Sequence, residues 1–180
     1  LNAVNQLGKL YWHLTQAGAK SFDHIVLEAP ASGHALITLR SPVIIRQMSP
    51  PGPMRRDTEA IVNLLRNPEL TQVHVVTLAS SMSCRESVQL AAALKDRAQV
   101  PLGFLWCNRV PDCPPVGDLP QAKGAWADFL RAEVDRARAD HERLNAAVDQ
   151  SGLKRIDLPE FPGKGRAVVA RLTEHLRARV

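Results

Sequence analysis

Glu28 follows directly on the apolar run Ile25-Val26-Leu27 and opens a tight turn, Ala29-Pro30-Ala31-Ser32-Gly33-His34. A carboxylate at the end of a buried strand is costly to leave unpaired. In that position it can reach the magnesium ion of a bound nucleotide. The plainer alternative is a turn or capping carboxylate with no metal role. Gly33 allows backbone geometry that other residues resist, which suits a loop that has to move. A simple strand-to-helix turn with a surface His34 is its plainer counterpart. Further along, Asn108 closes the strand-like run Leu102 to Cys107. Parallel sheets bind ligands at that end, and an amide can both donate and accept at one planar edge. Asn is also a common turn residue.

The segment Glu28 to His34, E-A-P-A-S-G-H, resembles the switch II signature of the ArsA family of ATPases. Bacterial members usually show D-A-P-A-T-G-H there, then an apolar helix and a proline. Here Ala35-Leu36 and Pro42 follow. Ser replaces Thr, and Glu replaces Asp with one methylene more. Leu105-Trp106-Cys107-Asn108-Arg109-Val110 is similar to the family's apolar strand ending in N-R-V. Leu158-Pro159-Glu160-Phe161-Pro162-Gly163 is similar to its L-P-x-x-P loop.

The resemblance implies roles. Glu28 would hold Mg²⁺ through a coordinated water. Pro30, Ser32 and Gly33 would approach the γ-phosphate, and His34 would report its presence to the following helix. His34 as a general base is disfavoured, because phosphoryl transfer rests mainly on positioning and electrostatics. Asn108 would pair with adenine, and Arg109 would lie beside the base or ribose, or else in solvent. Pro159, Phe161 and Pro162 would close over the base, with a core role for Phe161 equally open. Such ATPases also need a Gly-rich loop ending in Lys and Ser or Thr upstream of the switch, and Leu1 to Lys20 holds none. With Leu as first residue, the expectation is a C-terminal portion that binds nucleotide weakly and does not turn it over alone.

These groups need elements to hold them. Leu7, Leu10, Tyr11 and Leu14 predict a helix ending near Gly18, and Ile25 to Leu27 a strand. A variable insert at about 41–70 contains the irregular Ser49-Pro50-Pro51-Gly52-Pro53. Ile61, Leu64 and Leu65 mark a helix stopped by Asn67-Pro68. Val73 to Leu78 is β-branched-rich and predicts a buried parallel strand. Ser83-x-x-Glu86 predicts a capping box, opening a helix with Val88, Leu90, Ala91, Ala92 and Leu94. A loop is expected from Asp112 to Lys123. Trp126, Leu130, Val134, Ala137, His141 and Leu144 trace one stripe of a long helix, with His141 expected to hold one partner. A strand at Ile156 to Leu158 and a helix through Val168, Leu172 and Leu176 close the pattern. This alternation predicts an α/β fold, one domain over 1–180. The resemblance makes it part of a doubly wound, mostly parallel P-loop NTPase sheet with flanking helices.

Composition narrows the options. The 180 residues are 45% hydrophobic and carry a formal charge of +5, enough for a substantial core. The cations are dispersed and aromatic content is 4%, which argues against nucleic-acid binding. Cys84, Cys107 and Cys113 form no C-x-x-C pair, so neither a disulfide framework nor a zinc site is expected. With no cysteine in the insert, metalloid binding is not expected. Met48 and Met54 are too few for a methionine-lined client groove, and the insert is short for membrane-protein escort. There is no signal-peptide pattern and no apolar run near eighteen residues, so the expectation is a cytoplasmic chain without stable membrane insertion.

The leading expectation is therefore the switch II and adenine-side part of an ArsA-like ATPase. ATP or ADP and Mg²⁺ would serve the full-length protein, while this chain would fold without them. The resemblance implies a homodimer when full length, acting on a protein partner the sequence does not name. The alternative is a noncatalytic interaction or regulatory module on the same fold, and Glu28 in place of Asp leans that way.

Overall fold

The computed structural model describes residues 2–15, 22–30, 33–111, 124–161, 163 and 165–178. The chain divides into two units: Leu1–Val73 with Gln89–Gly103, and His74–Val88 with Phe104–Val180.

The first unit is helical. The three-and-four spacing around Leu7 forms α1, Asn2–Thr15, with Leu7 fully buried. Next comes α2, Gly33–Met48, which packs against α1 and against α3, Pro53–Arg66. Ala35, Thr38, Leu39 and Pro42 are its buried residues, at spacings of three and four. Pro42 lies inside the helix and has no N–H for the carbonyl of Thr38. The hydroxyl of Ser41 donates to that carbonyl instead, at 2.7 Å, so a buried acceptor does not go unpaired. Pro53 sits at the start of α3, where its missing N–H costs nothing. Thr58, Ile61, Val62 and Leu65 form the buried stripe of α3. Asn67 ends it, its side-chain oxygen accepting from the Glu69 N–H at 2.9 Å. The expected insert is thus mostly helix, with irregular backbone in a short bend between α2 and α3 and in the turn that follows α3.

The expected strand at Ile25 to Leu27 does not form. Residues 24–30 take no regular structure, and Val26 is 92% exposed. A strand is stable only when a neighbour takes up its N–H and C=O groups. No strand of the described sheet pairs with this run.

The second unit holds nearly all of that sheet. Its strands are β1 (Val73–Thr77), β2 (Leu102–Val110) and β3 (Lys154–Pro159), in the order β1-β2-β3 and all parallel. Between them run the crossover helices α4 (Ser81–Ala93) and α5 (Ala125–Ser151). The last helix is α6 (Arg166–Arg177). The fold is therefore α/β, an open three-stranded parallel sheet with flanking helices. Its strand order shows no reversal; a doubly wound sheet would need a further strand beyond β1.

Register sorts the sheet into two faces. Leu105 pairs with Arg155 and Cys107 with Asp157, while Trp106 pairs with Ile156 and Asn108 with Leu158. Leu105 and Cys107 are fully buried, whereas Phe104, Trp106, Ile156 and Leu158 stay half-exposed. Burial along β1 alternates likewise, with Val75 and Thr77 in and His74 and Val76 out. The expectation of a wholly buried strand is corrected on this point: one face of β1 is left open. On that face the His74 ring stacks on Phe104 at 5.7 Å.

Helix α4 begins at Ser81, ahead of the expected capping box. Ser80 is the cap: its oxygen accepts from the Ser83 N–H at 3.1 Å, which satisfies an orphan donor of the first turn. Cys84, Ser87, Ala91, Leu94 and Ala98 form the inner stripe, continued through a π-helical segment, Leu94–Ala98. In α5 the buried residues are Ala127, Val134, Ala137, Leu144 and Ala147. Trp126 departs from the expected stripe: it is 71% exposed and stacks on Phe129 at 5.5 Å. Gly152 ends α5 at φ 68, a backbone conformation that glycine adopts without steric cost.

Candidate functional site

The carboxyl ends of β2 and β3 lie side by side and gather most of the adenine-side residues named above. Asn108 is at the end of β2, opposite Leu158, and Val110 faces Pro159. The register shifts between Asn108 and Val110, and Arg109 takes a left-handed conformation at φ 56. That region is uncommon for a residue with a side chain. The Asn108 side-chain oxygen accepts from the Arg109 N–H at 3.0 Å. Because an N–H only donates, the oxygen of the amide must be the atom facing it. The amide nitrogen remains to donate elsewhere, and the oxygen keeps a second lone pair.

The Arg109 side chain is 63% exposed and holds an ion pair. Its Nε donates to Glu160 Oε1 at 3.0 Å, and Nη2 reaches the same oxygen. This ion pair ties the end of β2 to the residue after β3. Phe161 is half-buried against α6. The Arg171 guanidinium lies 4.5 Å from its ring centroid, and the His175 ring meets its edge at 6.2 Å. Both contacts anchor the chain as it leaves the sheet. Pro162 and Ser32 lie outside the described residues, as do Cys113 and the loop at 112–123.

Beneath the same edge, on the inner face, is a polar network that the sequence pattern does not single out. Arg155 pairs with Asp157 and donates to Asn145 at 2.6 Å. Its Nη2 also lies 3.3 Å from His141 Nδ1. His141 Nε2 is 3.0 Å from the carbonyl of Pro111. Arg155 can only donate, so Nδ1 accepts and Nε2 carries the hydrogen that Pro111 receives. His141 thus has two partners, not the one expected, and it braces the chain just after β2. Arg143 pairs with Asp140 and donates to the Ala79 carbonyl at 2.8 Å, which fixes the end of β1 against α5.

Cys107 is fully buried beside this network. Burial above all pushes its thiol up from 9.0 to about 11; Arg155 opposes the rise and Asp157 adds to it. Cys84 is raised as well, again chiefly by burial, and its thiol donates to the Leu78 carbonyl at 3.3 Å. Neither is a ready nucleophile. The folded state holds the Cys107 proton more tightly than the unfolded chain does. Its contribution is therefore complete below pH 9 and is lost between pH 9 and about 11. Two pH units at about 1.4 kcal/mol each give a loss of roughly 2–3 kcal/mol. Urea denaturation from pH 8.5 to 11 should show stability falling more steeply in the parent than in Cys107→Ala. Parallel pH curves would contradict the assignment.

The switch residues belong to the other unit. Glu28 and Pro30 are exposed in the irregular stretch, and Gly33 and His34 form the exposed first turn of α2. The carbonyl of His34 accepts from the Thr38 hydroxyl at 2.9 Å, so the turn is bonded to the helix it opens. Among the described residues, no group of three His, Cys, Asp or Glu could hold a metal ion by itself. Magnesium in nucleotide sites takes one or two carboxylates and completes its shell with phosphates and water. A lone, exposed Glu28 fits that requirement. No described helix is long and apolar enough to cross a membrane.

Compared with known protein families and with curated proteins, the chain matches none.

Proposed function

We propose that this chain is the switch-bearing, adenine-side portion of an ArsA-like P-loop ATPase. The observation that supports it best is the side-by-side placing of Asn108-Arg109 and Pro159-Glu160-Phe161 at the carboxyl ends of neighbouring parallel strands. Two sequence segments, read separately, resemble family segments that would place Asn108, Arg109, Pro159 and Phe161 around one nucleotide base. In the intact protein, a preceding segment would supply the phosphate-cradling amides and lysine, together with a strand to pair with Ile25 to Leu27. The sheet would then be doubly wound, and two copies would meet around nucleotide. Magnesium would offset charge on the phosphates, held through water by Glu28. Pro30, Ser32, Gly33 and His34 would pass the γ-phosphate state to α2. Asn108 would receive and offer hydrogen bonds at the edge of adenine, with Pro159, Phe161 and Pro162 closing over it.

The test is Asn108→Ala in the intact protein. Loss of a paired polar edge costs about 1–3 kcal/mol, so ATP affinity should fall roughly five- to 150-fold. The preference for ATP over GTP should narrow as well. A competition assay that finds affinity and base preference unchanged would rule out the role of Asn108.

A second reading keeps the fold and gives up turnover: a noncatalytic interaction or regulatory module. It draws on the longer carboxylate at Glu28 and on the exposed, unpaired state of residues 24–30.

A further inference from the structure

The end of β2 carries an unusual arrangement with no need of it for packing. Arg109 is exposed and in a left-handed conformation, which costs energy for a residue with a Cβ. Two contacts hold it there: its N–H on the Asn108 side-chain oxygen, and its guanidinium on Glu160, 51 residues away. We propose that Glu160 is a positioning residue, acting through Arg109 to pin the Asn108 amide in one orientation and so select adenine over guanine. This rests on the nucleotide reading above.

The chemistry of selection is simple. Along its Watson–Crick edge adenine offers the N1 acceptor beside the N6 amino donor, whereas guanine offers the N1–H donor beside the O6 acceptor. An Asn that can donate through nitrogen and accept through oxygen matches adenine. Against guanine the same orientation sets oxygen against oxygen. An Asn free to flip its amide would turn nitrogen toward O6 and oxygen toward the N1–H, and so accept guanine too. The Arg109 N–H opposes that flip, because it would then face an NH₂ group. It can do so only while Arg109 keeps its left-handed turn, and Glu160 holds the far end of that residue.

Glu160→Gln removes the charge and keeps the shape. Both partners are largely exposed, so the pair contributes modestly and the expected effects are roughly two- to fivefold. Amide hydrogen exchange followed by NMR on this chain should show the Arg109 N–H exchanging faster by that factor. The Cys107 N–H, deep in the same strand, should be unchanged and so reports an intact fold. The ratio of ATP to GTP affinity, from competition against a fluorescent ADP analogue, should fall by a similar factor, mainly because GTP binds better. The charge-reversed double variant, Arg109→Glu with Glu160→Arg, should restore both readouts. If the parent prefers ATP while Glu160→Gln leaves either readout unmoved, this proposal is overturned and the nucleotide reading stands. If the parent shows no preference for adenine at all, the nucleotide reading falls and the proposal falls with it.

Discussion

Arg155→Ala should lower the stability of the second unit by about 2–4 kcal/mol. Arg155 and Asp157 are mostly buried on the inner face of β3, with side chains 16% and 24% exposed. Removing one member of such a pair leaves the other charge without its partner in a poorly solvated place, which is far more costly than the pair's net worth. Three further contacts would be disturbed. Asn145 loses its donor, His141 Nδ1 loses the hydrogen bond it accepts, and Cys107 loses the nearby cation that opposes its raised thiol. The range is set below the values typical of fully buried pairs, because water still reaches both groups. Replacing both partners with apolar residues, Arg155→Met with Asp157→Leu, should recover most of the loss. Chemical denaturation of the parent, the single variant and the double variant decides the matter. A single-variant loss below about 0.5 kcal/mol would mean that the pair is screened like a surface salt bridge, and the stabilising role of Arg155 would be wrong.

The second large effect concerns turnover in the intact protein. If Glu28 holds the magnesium ion through water, Glu28→Ala removes electrostatic stabilisation where charge develops on the transferring phosphoryl group. Losses of this kind are on the order of 10²- to 10³-fold in turnover. Glu28→Asp should keep or raise activity, because the shorter side chain allows tighter geometry around the ion. A noncatalytic module behaves differently. It has no turnover to lose, neither substitution matters, and Mg-ATP leaves its dimerisation unchanged. Hydrolysis rates of the parent, Glu28→Ala and Glu28→Asp, measured beside dimerisation with and without Mg-ATP, separate the two readings. A parent that hydrolyses ATP no faster than Glu28→Ala removes Glu28 from the site.

Several elements were legible because their causes are local. The spacing of Ile61, Leu64 and Leu65 and the stop at Asn67-Pro68 placed α3, since helix periodicity and its punctuation act within a few residues. The same holds for α1, for the long helix around Val134 and Leu144, and for the β-branched run of β1. Local signals misled where a stronger neighbour existed. Ser83 looked like a cap, yet Ser80 stands three residues ahead and bonds the Ser83 N–H itself. Trp126 matched the period of α5, but Ala127 takes the inner position.

Taken by itself, the sequence determined the alternation of strands and helices, the positions of Asn108 and Pro159 near strand ends, and the stop of α3 at Asn67-Pro68. Each depends on backbone preferences and on residues a few places apart. Only the tertiary structure decided that Ile25 to Leu27 stays unpaired, because a strand exists through its neighbour and not through its own side chains. It also decided which face of the sheet is buried, since a period-two pattern says that faces differ but not what lies against them. The ion pair of Arg109 with Glu160 joins residues 51 positions apart, and Arg143 meets Ala79 across 64. Contacts of that reach follow from how strands align and helices cross, and no local pattern of residues records them.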